Sequence, residues 1–253
     1  MDLARASAML AALGLDRTLC AGDPLPPFFH QLYFWDARAP SALGRDGHPQ
    51  VGGLIPDMGL PRRMWAGGRL RFEHPLRVGA EAEKRTVCEN AEHKTGRSGP
   101  LGFVTLRHEV WQDRVRCLTE WQDLVYRPEA DGTAVPPPST PAPDGAGNPA
   151  TFSSTLLFRY SALTFNGHRI HYDEAYAREV EGYGGLVVHG PLLAQLLMLK
   201  AEAELGPLRG FSFRGRSPLV HTETATLCRD GTRLWVAASD GRYVMEAEAE
   251  TSE

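Results

Sequence analysis

The run Leu163-Thr164-Phe165-Asn166-Gly167-His168-Arg169-Ile170-His171-Tyr172-Asp173 carries an amide, two imidazoles, a guanidinium and a carboxylate, and Val188-His189-Gly190-Pro191 adds a third imidazole shortly after it. An imidazole titrates near neutral pH, so His171 can take a proton from water and return it. Asn166 can orient water or an acyl carbonyl by hydrogen bonding, but it cannot act as a base. Gly190 precedes a proline and a long apolar run, which places its N–H at a helix start, where partial positive charge favours an oxyanion. Base, orienting amide and oxyanion donor are the parts of acid–base chemistry beside a carbonyl. Each also has a plainer reading. A histidine after Ile170 can simply pack, Asn-Gly is a common turn, and Gly190 caps a helix whatever the function.

Neighbouring residues extend the candidate set. His168, His171 and His189, with Asp173, have ligand chemistry. The His-x-x-His spacing is loose, however, and neither a His-Glu-x-x-His motif nor a cysteine set supports it, so no metal is expected. Arg169, and Arg62 and Arg63 from the first half, can face a carboxylate or phosphate as bidentate donors. Their plain alternative is solvated surface charge. Tyr183, Gly184 and Gly185 read as a loop shaping a pocket. Tyr183, Gly185, Val188, His189, His168, Arg169, Arg62 and Arg63 form the candidate substrate-binding set.

The elements that must position these residues are clearest in the second half. A strand is expected over 156–161, and Asp173 can cap a short helix through Glu179. Pro191 suits a first helical position, and Gly206-Pro207 ends the helix. Leu192, Leu193, Leu196, Leu197, Met198 and Leu199 leave that helix almost no polar face, so other structure must wrap it. Strand-like runs follow at 210–216, 219–229, 233–239 and 242–250, with Asp230-Gly231 and Asp240-Gly241 as tight-turn dipeptides. Alternation of Tyr243, Met245, Ala247 and Ala249 with Arg242, Val244, Glu246, Glu248 and Glu250 predicts a sheet with one wet face.

The first half repeats part of this layout. Strands are expected at 69–77, 80–92, 101–111 and 115–127, and a wrapped helix at 27–36, while 40–66 receives no assignment. Nothing in this half matches the Asn166–His171 loop. Residues 134–149, rich in Pro, Ala and Gly, read as a surface linker able to form neither helix nor ladder. The expected division is 1–128 as a degenerate first unit, 129–150 as linker and 151–253 as the unit carrying the chemistry. Leu3, Ala6, Leu10 and Leu13 fall at helical spacing, and Asp2 and Asp16 argue against a signal peptide.

A chain of 253 residues with 42% hydrophobic and 23% charged residues is ordinary for a soluble globular protein. The net charge of −4, without a basic run, gives no reason to expect nucleic acid. No segment approaches the ~20 apolar residues of a membrane span. Cys20, Cys88, Cys117 and Cys228 include no C-x-x-C pair and read as reduced thiols of a cytoplasmic protein.

The spacing resembles the MaoC-like, or (R)-specific enoyl-CoA hydratase, family, whose motif Ser/Thr-Gly-Asp-x-Asn-Pro-(Leu/Ile/Val)-His sets a catalytic Asp five residues before a catalytic His. Laid on this chain, Asn166 takes the Asp position, His168 the Asn, Arg169 the Pro and His171 the His. The stretch from Phe158 to Asp173 is similar to one branch in which Asn is the expected residue. That branch holds the mitochondrial-type 3-hydroxyacyl-thioester dehydratases and the 3-methylfumaryl-CoA (mesaconyl-CoA) hydratases. The resemblance implies an α+β double hotdog, each half an antiparallel sheet wrapped around a helix. It also implies a hydro-lyase adding water to, or removing it from, a small enoyl-CoA, most closely a 3-methylfumaryl-CoA hydratase giving a malyl-CoA-type product. His171 then serves as base, Asn166 positions water or substrate, and the Gly190 N–H stabilises the enolate. CoA belongs to the substrate and no separate cofactor is implied. A 3-hydroxyacyl-thioester dehydratase of fatty-acid synthesis is the alternative within the class. A hotdog thioesterase would want a carboxylate on the wrapped helix, and residues 191–201 carry none; a non-catalytic acyl-CoA binding module is a third reading. The oligomeric state stays open, with a homodimer as the form considered.

Overall fold

The computed structural model describes residues 1–96, 99–129 and 139–251. Among the described residues, three α-helices, α1 (Leu3–Ala12), α2 (Ser154–Thr164) and α3 (Gly190–Leu205), accompany nine strands. The strands are β1 (Arg62–Phe72), β2 (Glu83–Gly96), β3 (Gly99–Gln112), β4 (Val115–Arg127), β5 (Gly147–Thr151), β6 (Leu208–Gly215), β7 (Thr224–Asp230), β8 (Arg233–Ala238) and β9 (Tyr243–Thr251). They form one antiparallel sheet in the order β2-β3-β4-β1-β6-β9-β8-β7-β5. The two halves join where β1 pairs with β6, Gly67 opposite Arg214 through Arg71 opposite Gly210. On either side of that seam the order runs outward in the same sequence of elements. This is the α+β double hotdog that the motif implied.

Helix α3 begins at Gly190 with Pro191 in its first turn and ends at Gly206, whose φ of 89° no other residue adopts easily. Leu192, Leu193, Ala194, Leu197, Met198 and Ala201 are buried on several of its sides, and the sheet curls around it through β1, β6, β8 and β9. In β9, Met245, Ala247 and Ala249 face this core while Glu248 and Glu250 face water. Helix α1 presents Ala6, Met9 and Leu10 to the same core, as its spacing required.

Five expectations fail. Residues 156–161 are helical: the Ser153 hydroxyl accepts from the Leu156 N–H at 3.1 Å, and Leu157, Tyr160 and Ser161 make a helical face. The helix expected at 27–36 shrinks to a 3-10 turn, Phe29–Leu32, because Phe28 and Phe34 take left-handed φ values of 68° and 61°. The wrapped element of the first half is therefore a turn. The segment expected to join no ladder contributes β5, an edge strand pairing Gly147 with Cys228 through Thr151 with Thr224. Pro149 is tolerated there because an edge strand can spare a donor. Residues 130–138 of that linker lie outside the described residues. Finally, β1 starts at Arg62 and not at 69, and β7 starts at Thr224, leaving Val220 to bridge Val187.

Candidate active site

The candidate loop leaves α2 through Phe165 in the left-handed region (φ 54°), with the Asn166 N–H donating to the Ser161 carbonyl at 2.9 Å. The Asn166 side-chain oxygen then accepts from the His168 N–H at 3.0 Å, closing an Asx turn. A 3-10 turn over Arg169–His171 follows, and the Asp173 carboxylate accepts from the Tyr176 N–H at 3.0 Å to start a π-helical turn, Tyr176–Val180. Capping chemistry thus folds the loop. Asn166 fills its turn role, and its oxygen is turned toward its own loop.

His171 is buried, and its Nδ1 lies 2.7 Å from the Val187 carbonyl oxygen. A carbonyl only accepts, so Nδ1 carries the proton and Nε2 holds a lone pair. The ring stacks on His189 with centroids 3.7 Å apart. Ser161 Oγ lies 2.8 Å from His189 Nε2, which fixes that second ring from behind. Burial holds the His171 pKa down to about 4; the Val187 hydrogen bond pulls the other way and His48 adds to the lowering. His189, fully buried, is held well below the usual range by burial and then by His171 and His168. Both rings are neutral at pH 7. A neutral imidazole with a free Nε2 is a base.

His168 faces His171 edge-on, with centroids 5.4 Å apart, and burial, then His48 and His171, pushes its pKa down to about 2. On its other flank sits a residue from the first half, His48, with centroids 4.7 Å apart. The Asp46 carboxylate accepts from the His48 N–H at 3.0 Å and lies 3.2 Å from its Nδ1. Burial raises the Asp46 pKa, but His48 outweighs that and brings it to about 2. Neither residue entered the sequence-based set. They lie in the segment without assignment, and the only signal was an aspartate and a histidine flanking a glycine. Gly47 has φ 87°, and a Cβ on Gly167 would lie 2.6 Å from the Gly47 carbonyl oxygen, so the two loops meet backbone to backbone. The Arg169 N–H donates to the Asp46 carbonyl at 2.9 Å.

The three arginines differ. Arg169 donates to Asp173 at 2.7 and 3.1 Å and to the Arg45 carbonyl at 3.2 Å, and lies 4.2 Å over the Tyr176 ring. Arg62 donates to the Glu181 carboxylate at 2.7 Å and to its carbonyl at 3.2 Å. Arg63 is half-buried and makes no ion pair among the described residues; burial lowers its pKa, while Tyr126 and Asp46 act oppositely. Its charge acts on His48, lowering that imidazole's pKa after burial does. Arg63 is thus the candidate arginine free to receive an anion beside the imidazoles.

Elsewhere the expected residues have scaffold contacts. Val188 is buried and donates to the Leu219 carbonyl at 2.8 Å. A Cβ on Gly185 would lie 2.9 Å from Val220, and burial raises the pKa of Tyr183, which has Arg62 nearby. Gly190 is the first residue of α3, and its N–H is among those that intrahelical bonding leaves free. Carboxylate and imidazole atoms of Asp46, His48 and His168 lie within 4.8 Å of one another, close enough to hold a metal ion or a water.

Comparison with known proteins places the chain in a family. The family model for hydroxyacyl-thioester dehydratase type 2 matches residues 28–221. The chain is 48% identical to the mesaconyl-C(4)-CoA hydratase of Chloroflexus aurantiacus, over 98% of this chain and 92% of that protein. It is 28% identical to the mitochondrial hydroxyacyl-thioester dehydratase type 2 of Schizosaccharomyces pombe, covering 84% of this chain and 80% of that one. The crystal structure of HtdX from Mycobacterium tuberculosis matches with a TM-score of 0.72 at 18% identity, over 100% of this chain and 97% of that chain. A second structure from that organism, described as a double hotdog fold, has a TM-score of 0.61 at 17% identity, over 98% and 91% of the two chains.

Proposed function

This chain belongs to the hydroxyacyl-thioester dehydratase type 2 family, and from that premise we propose that it adds water to mesaconyl-C4-CoA to give a malyl-CoA-type thioester. It is a hydro-lyase. In the proposed reaction the His171 Nε2 takes a proton from water as the water oxygen bonds to the β-carbon. The π pair moves into the thioester, the Gly190 N–H meets the enolate oxygen, and the imidazolium returns its proton to the α-carbon. Proton transfer and oxyanion stabilisation suffice, so no cofactor beyond the CoA of the substrate enters this reading.

The observation that carries the dicarboxylate is Arg63. A C4 thioester of mesaconate leaves a free carboxylate on the carbon that water attacks. Desolvating that charge without a partner costs several kcal/mol. Arg62 and Arg169 already hold Glu181 and Asp173, whereas Arg63 stands beside His48 without an ion pair among the described residues. Arg63→Met should lower kcat/KM for mesaconyl-C4-CoA by about 10²-fold, the order of a charge-assisted pair, and for crotonyl-CoA much less. Equal losses on both would assign Arg63 to CoA phosphates or the fold and favour the fatty-acyl dehydratase reading. Cytoplasmic residence belongs to the same proposal, supported by four free cysteines and by the lack, among the described residues, of a helix long and apolar enough to cross a membrane.

A further inference from the structure

The wider motif has a carboxylate where this chain has Asn166, and the Asn166 oxygen is occupied by the His168 N–H. We propose that His48, oriented by Asp46, supplies the second polar arm of the site and holds the attacking water from the first half of the chain. The inference rests on the hydratase reading above and names a residue for it that the motif does not contain.

The geometry carries it. The Asp46 carboxylate can only accept, so the 3.2 Å contact puts the proton on His48 Nδ1 and leaves Nε2 as an acceptor. His171 is fixed in the same tautomer by a different acceptor, the Val187 carbonyl. The side chains of His48 and Asp46 keep 19% and 15% of their exposure, so this arm remains open to water, whereas His189 is sealed. Polar atoms of Asp46, His48 and His168 all lie within 4.8 Å of one another. One water making two hydrogen bonds of ~2.8 Å at a tetrahedral angle spans about 4.6 Å, enough to bridge His48 and His168, whose ring meets that of His171 edge-on at 5.4 Å. The loop is also docked firmly: Asp46 accepts from the Arg169 N–H, Arg45 accepts from the Arg169 guanidinium, and Gly47 abuts Gly167.

The proton count closes. One water hydrogen goes to His171 Nε2 and from there to the α-carbon. The other stays on oxygen throughout and becomes the product hydroxyl, donating to His48 Nε2. Nothing is oxidised or reduced. Arg63 acts on His48 from nearby and disfavours the imidazolium, which keeps Nε2 an acceptor and also opposes a divalent cation among Asp46, His48 and His168.

The test uses the full chain with mesaconyl-C4-CoA. His48→Ala should lower kcat about 10²-fold, the order expected when an attacking group is misplaced, with KM changed less than about threefold. His48→Gln, which keeps an acceptor, should fall between the two and covers the case in which the alanine variant does not fold. Adding Asn166→Asp to His48→Ala should recover at least about tenfold in kcat, because a carboxylate then holds the water from the motif position. A kcat within about threefold of wild type in both folded single variants, a loss confined to KM, or no recovery in the double variant would each overturn the proposal. So would a stoichiometric divalent metal in the wild type that His48→Ala removes. If the wild type ignores mesaconyl-C4-CoA yet hydrates crotonyl-CoA, the substrate assignment fails alone and the same variants are read on crotonyl-CoA.

Discussion

Gly47 and Gly167 face each other across the two halves of the chain, each leaving room for the other's backbone where a Cβ would collide. Through this contact a loop of the first half reaches the motif loop of the second. Gly47→Ala should do two things at once. The φ of 87° is strained for alanine, which costs about 1–3 kcal/mol, and the displaced loop carries His48 away from His168. Thermal denaturation should show a lowered Tm, and kcat should fall by more than the unfolded fraction accounts for. An unchanged Tm and kcat would show that the loops need not meet.

His171→Ala should remove hydration while the fold persists. The ring contributes proton transfer, worth about 10²–10⁴-fold, and its loss leaves α3 and the sheet untouched. Far-UV circular dichroism should match wild type; retention of more than about a tenth of kcat would mean another group is the base.

Activity should hold at acid pH further than a free imidazole allows. With the His171 pKa held down to about 4 by burial, the base stays neutral well below pH 6.5, so kcat/KM should decline only toward pH 4. Stability follows a different window. Above 6.5 neither folded nor unfolded chain protonates this ring; between 6.5 and about 4 only the unfolded chain does, so acid favours unfolding. The loss reaches on the order of 3 kcal/mol at about pH 4 and then stops growing from this group. Denaturant midpoints measured from pH 7.5 to 4.5 should fall with pH; a flat series would contradict the buried neutral ring.

Arg62 and Arg63 are adjacent in sequence and should separate in function. Arg62 pairs with Glu181, whose side chain is only 7% exposed and whose carboxylate also accepts from the Tyr176 hydroxyl at 3.2 Å. Arg62→Met leaves that carboxylate short of a partner and should cost about 1–3 kcal/mol of stability. The ratio of mesaconyl-C4-CoA to crotonyl-CoA turnover should not move. Arg63→Met should shift the ratio and leave Tm nearly unchanged. The reverse pattern would exchange their roles.

Local rules made much of the second half legible from the chain itself. Pro191 and Gly206 bound α3 because one has a preset φ and the other tolerates a positive one. Gly231 and Gly241 turn the strands at φ 58° and 81°, so Asp-Gly marked both hairpins. The motif loop was readable because Asn166 and Asp173 act on residues at most a few positions away. Residues 156–161 were not, since a short apolar run suits strand or helix until Ser153 caps it. Asp46 and His48 were beyond reach for a different reason. Arg169 and Arg45, which tie their loop to the motif, are 124 positions apart in sequence, and no spacing rule extends so far. Their approach follows from the β1–β6 seam, which sets the two halves side by side. It follows equally from two glycines that let the loops touch. Helix-end and turn residues in the sequence determined α3 and its hairpins, and local turn chemistry the motif loop; which candidate arginine lacks an ion pair among the described residues and which histidine comes from the other half were decided only when the sheet closed around α3.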